Sequence, residues 1–194
     1  MDITIEQTKA LRDETGVSIM QCKKALEEVG GDIEKAKVLL RKRGSDIAAK
    51  KSDRTLGAGA IEAYIHSTKK VGAMVILSCE TDFVAKNAEF VTLARDIAMQ
   101  VVATAPSYCR RENVTQEDTK AAEEIFKGEV SGKPAEMQKK ILEGKLDAYL
   151  KEKILMEQDF IKDPSVTIRA LVEGATQKFG EKIEITRFTR FSIA

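Results

Sequence analysis

The run VGAMVILSCE at residues 71–80 is almost continuously apolar. A strand of that composition is covered on both faces and needs other elements to cover it. Just before it the period is two: Ile61, Ala63 and Ile65 alternate with Glu62, Tyr64 and His66. The polar Ser67-Thr68-Lys69-Lys70 between the runs makes them a β-hairpin. From about Asn87 to Ala105 a helical period follows through Phe90, Leu93, Ala94, Ile97 and Val101, with Pro106 just beyond its end. Residues 115–156 read as two heavily charged helices: Thr115 caps the first, Ser131-Gly132 separates them, and Pro134 lies near the first turn of the second. Their charge predicts a projecting antiparallel pair rather than core. Ser165 is placed to cap a helix through Phe179 that Gly180 ends, and KIEITRFTRFSIA closes the chain as a strand. A hairpin, helices and a late strand returning to the sheet predict an α+β core with an antiparallel sheet and packed helices.

Ahead of this core stand three short helices. Thr4-Ile5-Glu6-Gln7 has capping-box spacing and opens a helix to about Glu14, where Thr15-Gly16 interrupts. Ser18-Ile19-Met20-Gln21 has the same spacing and precedes Cys22, Ala25, Leu26 and Val29 on one helical face. Gly30-Gly31 stops that helix. Asp32 then caps a third, where Ile33, Ala36, Leu39 and Leu40 recur before Gly44. So small a core has limited stability alone and packs on, or binds to, something else. The stretch RKRGSDIAAKKSDRTLGAGA at 41–60 is a partly helical tether. Its six basic side chains offer an RNA contact, but a solvated linker is the preferred reading. The expected domains are 1–44 as the three-helix module, 45–56 as linker and 57–194 as the core, with the helical hairpin at about 115–156.

Composition narrows the function. Lys and Arg number 32 against 31 Asp and Glu, a formal charge of +1. A chain built to grip phosphate backbones carries a basic excess, so direct nucleic-acid binding is not expected. Cys22, Cys79 and Cys109 stand far apart without a CxxC pair, and His66 is the single histidine. A Cys/His zinc site is therefore not expected, and sparse, odd cysteines suit a reducing compartment. The first residues, MDITIEQTKALRDETG, are too polar for a secretory signal. No apolar stretch approaches the roughly 20 residues that cross a bilayer. A cytoplasmic location without a membrane partner is expected.

Enzyme chemistry finds little support. There is no GxxxxGK[ST] and no GxGxxG, and GAGA at 57–60 precedes a strand instead of following one, so it reads as a hinge. His66 reads as a structural or surface residue, and Cys79 as a small apolar residue ending a strand rather than a reactive thiol. RFTRF interleaves arginines with Phe188 and Phe191, the composition of a base-stacking platform. Sheet packing with outward arginines is preferred there. In CETDFVAKNAEF at 79–90, Thr81 or Asp82 can cap the turn, Asn87 is a second cap, and Phe83 either folds inward or serves a partner. The residues alone favour the inward fold.

The stretch LRDETGVSIMQCKKALEEVGGDIEKAKVLLRKRG resembles the N-terminal module of the elongation factor Ts family, a three-helix ubiquitin-associated-like domain. CETDFVAKNAEF resembles that family's signature segment, and GEKIEITRFTRF the end of its core. Order and spacing cover nearly the whole chain, which has room for one core unit and so is similar to the short form of the family. The resemblance implies a guanine-nucleotide exchange factor for elongation factor Tu in translation elongation, binding Tu both GDP-bound and nucleotide-free. It implies no enzyme activity, no catalytic residue, no cofactor and no metal, and, for a short form, a homodimer.

By the same resemblance, Thr81, Asp82, Phe83 and Val84 push between two helices of the GTPase domain and disturb its magnesium and phosphate sites, with Asp82 and Phe83 the main actors. Lys86 and Asn87 support the loop. Lys9, Arg12, Gly16, Ile19 and Met20 match docking positions of the N-terminal module, where family members often carry Met-Met in place of Ile19-Met20. Two other classes compete. An RNA-associated or ubiquitin-like-binding adaptor would use the tether, RFTRF and the three-helix module; an enzyme would use Cys79 or His66.

Overall fold

The computed structural model describes residues 3–130 and 134–193. In chain order the elements are α1 (Ile5–Thr15), α2 (Ile19–Glu28), α3 (Ile33–Lys50), β1 (Ala58–Ile65), β2 (Val71–Cys79), α4 (Asp82–Ala85) and α5 (Ala88–Thr104). After them come α6 (Gln116–Val130), α7 (Ala135–Lys153), β3 (Asp159–Phe160), β4 (Asp163–Thr167), α8 (Ile168–Phe179) and β5 (Glu184–Ser192). The chain is α+β, with β2 central in a sheet of order β1-β2-β5 and β3 paired antiparallel to β4. Thr186 bonds Ser78 while Ile193 bonds Lys70, so β5 runs antiparallel to β2. Contacts divide the chain into two units: Met1–Glu62, Val75–Arg95 and Arg169–Thr186 in one, Ala63–Met74, Asp96–Ile168 and Arg187–Ala194 in the other.

In the first unit, α1 to α3 close on Leu11, Val17, Cys22, Ala25, Leu26, Ala36 and Leu40, all buried. Thr4 and Gln7 form the full capping box of α1. At α2 only the Ser18 half is present, because the Gln21 side chain accepts instead from the Gln177 amide of α8 at 2.9 Å. Asp32 caps α3 as expected. The helix does not stop at Gly44 but continues to Lys50, into the expected 45–56 linker and within the 41–60 stretch expected to be partly helical. At Gly44 the chain runs close to α8: a Cβ there would stand 3.2 Å from Gln177 Oε1 and 3.4 Å from the Glu173 carbonyl oxygen. Helix-compatible residues follow it, so nothing local breaks the helix.

β2 departs from the expectation that both its faces are covered. Ala73, Val75, Leu77 and Cys79 are buried, whereas Met74 is exposed and Ile76 only half-buried. Ile61 and Ile65 of β1 likewise face solvent. An apolar run thus fills one face and leaves the other uncovered. At Gly59 a Cβ would meet the Leu77 carbonyl oxygen at 2.5 Å, so glycine permits β1 to approach β2.

In the second unit Ile97, Ala98, Val101, Ile154, Leu155 and Ile168 are buried. Gln100 is buried among them with its amide satisfied: it donates to Gln158 Oε1 and the Asp159 carbonyl and accepts from the Ile161 N–H. Reciprocal bonds between Thr115 and Asp118 cap α6, and Pro134 occupies the cap position of α7. Phe126 and Tyr149 meet edge-to-face at 5.8 Å between these helices, yet of the pair's described residues only Ala122 and Leu150 are buried. The expected Ser131-Gly132 break lies outside the described residues.

Two expectations for the C-terminal part fail. Ser165 does not cap a helix; it lies in β4, where its N–H and hydroxyl both donate to Asp163 Oδ1, and α8 begins at Ile168. The arginines of RFTRF do not both face out either. The Arg190 guanidinium donates to the Val102 carbonyl at 3.3 Å, and Phe191 is exposed in its place.

Candidate functional site

The strand β2 ends at Cys79, whose thiol is fully buried and donates to the Thr81 carbonyl at 3.3 Å. Burial pushes that thiol above its ordinary range, the environment of a packing residue rather than a nucleophile. His66 sits in the hairpin turn beyond β1, its N–H donating to the Val71 carbonyl and its ring bonded to Thr68. Among the described residues no cluster of three or more His, Cys, Asp or Glu is arranged to hold a metal ion.

Between β2 and α5 the chain makes one turn of helix, α4. Thr81 is extended (φ −129°, ψ 154°), and the Ala85 N–H closes the turn onto its carbonyl at 3.1 Å. Such a turn has an inside and an outside. Val84 and Ala85 are buried, at 4% and 9% exposure, and anchor it. Phe83 points the other way and is 86% exposed. A single turn buys too few hydrogen bonds to be stable by itself, so the flanking bonds define it. Asn87 Oδ1 accepts the Glu89 N–H at 2.9 Å and starts α5, as the sequence predicts. Thr81 makes no cap bond, because its hydroxyl donates to Glu181 instead. Asp82 does not cap the turn with its side chain either. Its carboxylate faces Lys86 at 3.4 Å with both side chains exposed, a pairing worth little in water. It remains accessible to a partner.

Phe90 of the same stretch is wholly buried and packs edge-to-face on Phe179 at 6.0 Å. Two phenyl groups of one short segment therefore have opposite environments.

Sequence reasoning assigned no role to three residues that hold this loop. Glu181 accepts from the N–H groups of Glu80 and Thr81, each at 3.0 Å. Glu80 in turn accepts from the Lys182 N–H at 2.5 Å and from the Arg54 guanidinium. These donors, the Lys182 amide first, hold its carboxyl below the ordinary glutamate range. The stabilisation is present at neutral pH and is lost as pH falls through that lowered value. A signal was visible only as position, since GEKIEITRFTRF reads locally as a closing strand.

The docking candidates belong to the same unit. Lys9 and Arg12 are exposed on α1, and Ile19 and Met20 are exposed on the first turn of α2. Gly16 ends α1 in the left-handed conformation (φ +67°), its N–H donating to the Arg12 carbonyl at 2.7 Å. A Cβ on Gly16 would lie 2.8 Å from Lys178 Nζ, and that ammonium pairs with Glu89 at the start of α5. Lys178 thus stands between the candidate docking residue Gly16 and the helix that follows the Phe83 turn.

An exposed ring on an anchored turn, in the same unit as a three-helix module, is the kind of surface that protein-binding proteins present. Comparison with known proteins gives the class a family. A family model described as Elongation factor TS matches residues 8–194. The chain is 47% identical over 193 residues to elongation factor Ts of Carboxydothermus hydrogenoformans, covering 98% of this chain and 89% of that protein. It is 46% identical over 195 residues to elongation factor Ts of Herpetosiphon aurantiacus, covering 100% and 98%. The chain belongs to the elongation factor Ts family, and with it to the guanine-nucleotide exchange factors that serve elongation factor Tu in translation elongation.

Proposed function

We propose that exchange is driven by the Thr81-Asp82-Phe83-Val84 turn acting as a wedge on the GTPase domain of elongation factor Tu. The observation that carries this reading is the 86% exposure of Phe83 on a turn anchored by Val84 and Ala85. A phenyl group in water gains free energy by entering an apolar crevice between helices, and does so only where they have moved apart. That state of Tu holds magnesium and phosphate poorly. By reciprocity, what binds the nucleotide-free form better lowers the affinity for nucleotide. Asp82 adds a carboxylate that competes for the same donors. Lys86 and Asn87 support the turn, and no covalent step or cofactor is involved. Stopped-flow release of fluorescent GDP from purified Tu tests the reading: the chain accelerates release, and no acceleration rejects it.

The module at 1–44, followed by the 45–56 linker and the 57–194 core, supplies docking through Lys9, Arg12, Gly16, Ile19 and Met20. Ile19 and Met20 are large, apolar and exposed on a helix that spends its other face on the module core. Replacing both by alanine is expected to weaken Tu binding about tenfold with an unchanged melting temperature. Isothermal titration checks this, and unaltered affinity removes the pair from the interface.

The protein acts in the cytoplasm without nucleic acid. Among the described residues no helix is long and apolar enough to cross a membrane. It pairs with a second copy through the uncovered face bearing Ile65, Met74, Phe191 and Ile193, all exposed around one open trough. Sedimentation equilibrium is expected to give a dimer that Met74→Asp with Phe191→Asp converts to monomer; a wild-type monomer rejects the pairing.

A further inference from the structure

The turn Gly180-Glu181-Lys182, between α8 and β5, gathers bonds from two other parts of its unit. One Glu181 oxygen accepts the N–H groups of Glu80 and Thr81, and the other accepts the Thr81 hydroxyl at 2.5 Å. Lys182 donates its N–H to the Glu80 carboxylate and its ammonium to the carbonyls of Ser52 and Arg54, at 2.6 and 3.1 Å. Lys51 donates to the Gly180 carbonyl at 2.5 Å. The segment that follows α3 and the residues that precede Phe83 therefore end on one short turn.

We infer that Glu181 is a positioning residue for nucleotide exchange, acting through Phe83 rather than by touching the partner. The inference rests on the wedge reading above. A ring pressed into a crevice pushes back on the turn that carries it. If that turn gives way, part of the burial free energy goes into ordering the loop instead of moving the GTPase helices. The α4 turn is too short to resist alone, and Thr81 provides no cap. What stiffens it is a carboxylate taking three charge-assisted bonds from the two residues ahead of Asp82. With Thr81 fixed on one side and Val84 and Ala85 buried on the other, the direction of the Phe83 side chain is set before any partner arrives.

The test uses the full chain and purified Tu carrying fluorescent GDP, over a range of factor concentrations. It reads the maximal release rate and the half-saturating concentration separately. Glu181→Ala is expected to lower the maximal rate about tenfold while shifting the half-saturating concentration less than about threefold. Glu181→Gln keeps the side-chain shape and an accepting oxygen, and is expected to restore most of the rate. In a Phe83→Ala background, adding Glu181→Ala is expected to change nothing further, because the residue acts only through the ring.

A wild-type maximal rate for Glu181→Ala overturns the inference. So does an equal loss in both backgrounds, which marks a general structural role. Should Glu181→Ala fail to fold, Thr81→Val removes the hydroxyl bond alone. It is then expected to slow release about threefold, and only when Phe83 is present; a wild-type rate for that variant overturns the inference as well. If Phe83→Ala itself releases GDP at the wild-type maximal rate, the wedge reading fails and the role of Glu181 fails with it. A slow Phe83→Ala beside a normal Glu181→Ala sinks only the positioning role.

Discussion

Phe83→Ala is expected to melt at the wild-type temperature and to slow factor-stimulated GDP release by roughly ten- to a hundredfold. The two halves of that expectation have one cause. The ring is 86% exposed in the free protein, so removing it deletes almost no packing. Surface substitutions of that kind change stability within about 0.5 kcal/mol. On the proposed wedge reading the same ring is buried in the complex, and full burial of a phenylalanine is worth about 1.5–3 kcal/mol. Since about 1.4 kcal/mol is a tenfold change, losing it from the state that has released nucleotide accounts for the range given. The decisive measurement is single-turnover release at saturating factor, paired with a thermal melt. A folded variant that still releases GDP at the full rate would mean that Phe83 is not the wedge.

Phe90→Ala is expected to do the reverse. This ring is fully buried, with its edge against Phe179 at an interplanar angle of 80°. Removing a buried phenyl group costs its transfer free energy and leaves a cavity, together about 3–5 kcal/mol. That is a large share of the roughly 5–15 kcal/mol that holds an ordinary domain together. For a chain of this size it corresponds to a melting temperature lower by about 6–20 °C. Exchange activity per folded molecule is expected to survive well below the new midpoint, because the variant leaves the exposed turn its own anchors, Val84 and Ala85. Urea unfolding checks the first part, and release kinetics in the cold check the second. A wild-type midpoint would contradict the packing described above. Together the two variants separate function from stability within one twelve-residue segment.

Much of the architecture can be read without coordinates, and the reason is local. Cys22, Ala25 and Leu26 on α2, and Phe90, Ala94, Ile97 and Val101 on α5, recur at helical spacing, and the structure buries them all. The caps Thr4, Asp32 and Asn87 satisfy amide groups within a few residues of themselves, so their roles too are written in the order of the chain. The α+β class and the three-helix start follow from such signals. The family resemblance follows from motif order.

Other features depended on what lies across the fold. Period two groups Ile61, Ala63 and Ile65 on one face of β1 but carries no information about whether anything covers it; the structure leaves Ile61 and Ile65 in water. Gly44 looks like a helix stop and instead lies buried within α3, close against α8. Gln21 has capping-box spacing, yet its amide is engaged by Gln177, far away in sequence. Arg190 and Phe191 exchange the inward and outward roles that composition assigned them.

The segment CETDFVAKNAEF shows where the division falls. Its residues alone determine that a helical turn follows a strand, that Asn87 can start the next helix, and that an aromatic stands beside a carboxylate. They favour an inward Phe83, and that expectation fails, because one turn of helix has two sides and the ring is 86% exposed. The tertiary structure decides between them: buried Val84 and Ala85 take the inner side, and Glu181, a hundred residues on from Thr81, holds the turn with the ring outward. Hydrogen-bond partners that far apart in the chain meet only once it has folded, and no local spacing encodes their meeting.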